Sequence, residues 1–131
     1  MRHFVLIAVL LAGMPFASQA TQPVATPATH ATAARTPSAE IDALIDRVAH
    51  AKGVVFIRNG SDHTAAEAAA HLQRKRAAAG DKVRTPEQFI EVLGSRSSMT
   101  GTPYRVRLPD GREIDSAVWL TGLLRDLRSG H

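Results

Sequence analysis

Past residue 20, one short run constrains the fold more than any other. Val54-Val55-Phe56-Ile57 is β-branched or aromatic throughout, with Gly53 before it and Asn59-Gly60 just after. Such residues suit a packed, pleated strand. Four apolar positions in a row predict a central strand buried on both faces. Asn59-Gly60 tolerates positive φ and predicts a tight turn. The flanking segments have helical spacing instead. Ile41, Leu44, Ile45, Val48 and Ala49 fall at i, i+3, i+4, i+7 and i+8, one apolar helix face. Thr36-Pro37-Ser38 opens that helix and Gly53 ends it. After the turn, Thr64-Ala65-Ala66-Glu67 reads as a capping box. It starts a second helix that runs to about Ala79 and closes at Gly80.

The remaining segments complete the pattern. Thr85-Pro86-Glu87-Gln88 is another helix start, and Phe89, Ile90 and Leu93 point inward from a short third helix. "SRSSMTGTPY", residues 95–104, is a polar loop. Tyr104, Val106 and Leu108 alternate with Arg105 and Arg107, the signature of a half-buried strand. Pro109-Asp110-Gly111 turns it, and Arg112 to Ile114 returns as a partner. Ser116 caps a last helix that buries Trp119, Leu120, Leu123, Leu124 and Leu127. The order α-β-α-α-β-β-α predicts a small single α+β domain, residues 39–131, with a short antiparallel sheet packed by helices.

The first twenty residues stand apart from this fold. Met1-Arg2-His3 is a short basic start, Phe4 to Ala12 an apolar run, and Ser18-Gln19-Ala20 a small-residue cleavage site. The pattern is that of a secretory signal peptide, cut after Ala20. A membrane anchor needs about 20 apolar residues, and this run breaks at Pro15. The expected location is therefore periplasmic or secreted, with no transmembrane anchor after cleavage. Residues 21–38, nearly all Ala, Thr and Pro, read as a disordered linker. The chain has no Cys, which excludes thiol catalysis, thiolate metal sites, a lipoprotein anchor and disulfides. Taking Arg2 from the 16 basic residues leaves 15 against 12 acidic ones, a formal +3. That excess favours anionic surfaces weakly. Nucleic acid is not an expected partner, because no dense basic stripe carries interleaved aromatics.

The blocks "FIRNG", "AAEAAAHL", "TPEQFI" and "SRSSMTGTPY", in this order, resemble a family of small exported bacterial proteins known only as a domain of unknown function. The likeness spans about residues 40–127. Two positions depart from it: His63 stands where an aromatic is common, and Gly94 where Ala is usual. The resemblance implies export and a compact mixed fold. It implies no activity and carries over no catalytic residue.

Polar residues crowd the joints between elements. Arg58 at a strand end suits a bidentate pair with an anionic group, or with an internal carboxylate. Glu67, His71 and Lys75 share a helix face. They suit a metal or base site, or a plain row of charge pairs. Ser97 and Ser98 lie in a hydroxyl-rich loop that can bind a ligand or tie itself to backbone groups. Neither G-x-S-x-G nor S-x-x-K occurs in the chain. With strand 54–58 beside strand 104–108, the second helix and the 95–103 loop meet over their ends. The candidate ligand-binding residues are Arg58, Asn59, His71, Lys75, Ser97, Ser98 and Tyr104. No catalytic residue, metal or cofactor is assigned. The expected function is a non-enzymatic accessory or binding protein of the cell envelope. Its expected partner is an anionic envelope component or a protein docked on the Arg105/Arg107 face. The alternative is a small hydrolase with His71 as base and Ser97 or Ser98 as nucleophile.

Overall fold

The structure, a computed structural model, describes residues 34–130. The expected signal peptide and positions 21–33 of the expected linker lie outside the described residues. Helix α1 spans Pro37–Ala49, with the Thr36 hydroxyl accepting from the Ala39 amide. Strand β1 is Val55–Arg58 and β2 is Ser61–His63. Helix α2, Ala65–Ala79, begins at the Thr64 capping box. After a 3-10 turn at Gly80–Lys82, helix α3 makes one α-turn, Pro86–Gln88, and continues as a π-helical segment, Phe89–Gly94. Strands β3, Arg105–Arg107, and β4, Glu113–Asp115, lead into α4, Ser116–Ser129.

The α+β class and the antiparallel sheet agree with the sequence, and the sheet has one strand more. Its order is β2-β1-β3-β4. Asn59 and Gly60 adopt φ of 48° and 78°, which bends the chain sharply enough for Arg58 to pair with Ser61. Two positive φ values in succession make the turn whose twist matches paired strands. β2 therefore forms from Ser-Asp-His, a segment with no strand propensity of its own. β1 is interior, as expected, but it is fully buried on one face only. Phe56 points into the core, while Val55 and Ile57 are half-buried on the outer face.

All the helices pack on the Phe56 side of the sheet. Ile41, Leu44 and Val48 of α1, Phe89 of α3 and Leu120 of α4 join Val106 in the core. The Trp119 ring meets Phe56 edge-on at 5.3 Å. The outer face carries Arg105 and Arg107, and it is not a basic face. Arg107 bonds Asp62 and Glu113, and Arg105 bonds Asp115. Three carboxylates surround two guanidiniums. Asp115, bound to Arg105, occupies the cap position of α4 without capping it, and Ser116 is already the first helical residue. Gly53 lies beyond the end of α1, which closes at His50. A side chain at Gly53 would press on Pro109, 3.2 Å away.

Candidate functional site

Sheet periodicity aims the site. Arg58 lies two residues after Phe56 and so faces the helices. The antiparallel register pairs Val55 with Arg107 and Ile57 with Arg105. One step further it sets Tyr104 opposite Arg58. The Tyr104 backbone is held on both sides, its N–H donating to Ser95 O and its carbonyl accepting from Ser116 N, each at 2.9 Å. Helix α2 lies over this corner. His71 and Lys75, one turn apart, both reach the Tyr104 hydroxyl at 3.3 Å.

The Lys75 ammonium donates to the phenol oxygen, and the same hydroxyl shares a hydrogen bond with His71 Nε2. When the phenol donates to Nε2, the imidazole N–H is on Nδ1, which has no hydrogen-bond partner among the described residues. Burial pushes His71 down to about 4, and the charges of Arg58, Lys75, Arg74 and His63 act in the same direction. The ring is neutral at pH 7. Burial also lowers Lys75, helped by Arg58. It raises the Tyr104 phenol against smaller opposing pulls from Arg58 and Ser97.

Arg58 is the cation of this corner that lacks a close ion pair, and Glu67 feels its charge only at longer range. Arg58 is half-buried and makes no ion pair among the described residues. Pairing with an internal carboxylate is therefore excluded there. Glu67 does not serve it, since its carboxylate accepts the Thr64 amide at 2.8 Å in the capping box. For the same reason Glu67 does not orient His71, and the expected Glu67–His71–Lys75 charge row does not form. Beside Arg58 lies a cavity of about 40 Å³. Phe56, Ala68, Leu72 and Leu120 line it with apolar surface, Arg58 and His71 with polar surface, and no carboxylate lines it.

The other expected site residues serve the loop. The Ser97 hydroxyl accepts from the Met99 and Thr100 amides at 3.4 and 3.3 Å. Its N–H donates to Thr102 O, closing residues 97–102 into a small hairpin. Asn59 accepts from the Thr100 hydroxyl at 3.1 Å, tying that loop to the β1–β2 turn. Ser98 is exposed beside Met99 at the loop tip. His71 bonds Tyr104 and neither serine. Lys75 also donates to Leu93 O and Arg96 O at 2.8 and 3.0 Å, so it caps the π-helical segment. The sequence reading did not place His63 and Gly94 in the candidate site, and both line the cavity. His63 is delivered there by pairing with Phe56 across β1 and β2. The only signal for it is the turn that creates β2.

The described residues thus define a small α+β protein with a cationic pocket, free of carboxylates, at one end of its sheet. The chain belongs to a family of unknown function, DUF5329, which matches residues 35–128. It is 41% identical over 66 residues to the uncharacterized protein YfeK of Salmonella typhimurium strain LT2, a match covering 50% of this chain and 55% of that protein. The chain thus spans about half the length of this relative. No solved structure matches it.

Proposed function

We propose that this is an exported, non-catalytic protein of the cell envelope that binds an anionic group at Arg58 and His71. The observation that carries the binding reading is the half-buried Arg58, without an ion pair among the described residues, beside a neutral imidazole. A half-buried guanidinium gains from a bidentate anion. With the Tyr104 phenol donating to Nε2, the His71 Nδ1–H supplies a second donor. Lys75 and Tyr104 hold that ring by its far nitrogen, so they position the donor rather than contact the anion. The N-terminal sequence and the family resemblance support export. Among the described residues, no helix is long and apolar enough to cross a membrane.

Two measurements test the reading. The chain recovered from a periplasmic fraction should have the mass of residues 21–131; intact Met1 would refute cleavage. Added acetate or phosphate should move the His71 imidazole signals in wild type and leave them unmoved in Arg58→Gln. Turnover of an ester, phosphate or glycan substrate that disappears in His71→Ala would instead place the protein among hydrolases.

A further inference from the structure

The cavity beside Arg58 says what kind of anion belongs there. Its floor is hydrocarbon, from Phe56, Leu72 and Leu120, all at most 8% exposed. An enclosed water needs roughly 10–15 Å³, so about 40 Å³ admits about two or three non-hydrogen atoms. Phosphate and sulfate hold hydrated oxygens on every side. Pressing any of these on an apolar floor leaves an unpaired acceptor. A carboxylate is different, because it is planar, matches the guanidinium fork with both oxygens, and leaves one side of the group free to be hydrocarbon.

We propose that this cavity takes the short aliphatic end of a carboxylate, one to three carbons lying in it against Phe56, Leu72 and Leu120 while the carboxylate sits at its mouth, held by Arg58 and His71. The proposal rests on the anion-binding reading above and narrows it. The same chemistry comes from two sources, a free short-chain acid or the carboxyl-terminal residue of a peptide with a small side chain. In both the recognised unit is an anion next to a methyl or ethyl group. Ala68, on the α2 wall of the cavity, sets the room available for it.

Nuclear magnetic resonance titrations of the full mature chain with propionate, N-acetylalanine and inorganic phosphate test this. Propionate or N-acetylalanine should shift the His71 ring and the Phe56 and Leu120 signals together, and phosphate should bind about tenfold more weakly or worse. Arg58→Gln should weaken propionate binding by about tenfold or more. Ala68→Leu fills the cavity but keeps Arg58, so it should reduce propionate to the strength of phosphate. Tighter binding of N-acetylalanine than of propionate assigns the peptide source, and the reverse assigns the free acid; either supports the proposal. Phosphate binding as tightly as propionate, or an Ala68→Leu variant that still prefers propionate, overturns the hydrocarbon subsite and leaves the anion site standing. No response to any of the three, with a folded spectrum, overturns both.

Discussion

Lys75 is the residue whose role sequence pattern reads least well. Its i,i+4 spacing from His71 suggests a surface charge row, yet its ammonium turns inward to two carbonyl oxygens and a phenol. Those partners lie 18 to 29 residues away, beyond the reach of any helical periodicity. Arg58 and His71 were legible as polar letters at a joint. What was hidden is that no carboxylate among the described residues forms an ion pair with Arg58, because Glu67 is committed to its own helix start and feels Arg58 only at longer range. Replacing Lys75 with Met should lower stability by about 2 kcal/mol, the scale of a lost charged hydrogen bond, read from urea unfolding. It should also raise the His71 pKa above its value of about 4, since one positive neighbour is gone. Titrating the imidazole by magnetic resonance checks this. A pKa that stays put would remove Lys75 from the electrostatics of the site.

At the scale of elements, the legible parts were those with local chemistry. Thr36, Thr64 and Thr85 each cap the helix start that the sequence marks. The Asn59-Gly60 turn was legible too, but not its consequence. It pulls the polar Ser-Asp-His segment into the sheet as β2, where pairing overrides propensity. Nor does any pattern announce the π-helical segment, which the burial of Phe89, Ile90 and Leu93 requires only in its general direction. Gly94 closes that segment against α4. A Cβ there would lie 2.6 Å from Leu120 Cδ1, and Leu120 is 1% exposed. Gly94→Ala should therefore cost about 1–3 kcal/mol as the core yields. Gly60→Ala should cost about 1–2 kcal/mol for a different reason, a left-handed backbone with open space around it. Thermal unfolding of the two variants separates them: only Gly94→Ala should also disturb the Leu120 signals.

For the molecule as a whole, two kinds of group tie stability to pH, and both weaken it toward acid. Arg128 of α4 bonds Glu40 of α1 and Glu87 of α3 at 2.9 and 2.6 Å, joining three helices. Its guanidinium holds both carboxyls below their usual range. A carboxylate depressed in the folded state contributes stability above its ordinary value of 4.5, and the contribution is lost as pH falls through the folded value. His71 acts over a higher window. Its folded pKa of about 4 lies below the ordinary 6.5, so the unfolded chain takes up the proton first. Stability from this group is complete above about pH 6.5 and drains away as pH falls toward about 4. Urea midpoints at about pH 7, 5.5 and 3.5 should resolve the two windows. His71→Gln should flatten the drop between the first two points, where the carboxylates contribute nothing, and part of the next, whereas Arg128→Met should flatten only the drop between the last two. Salt adds a second discriminant. Exposed ion pairs are screened, so 0.5 M sodium chloride, roughly a 4–5 Å Debye length, should blunt the Arg128 window. The His71 window arises first from burial, which salt does not screen, and it should persist. If salt erased it as well, the imidazole would be governed by its charged neighbours rather than by burial.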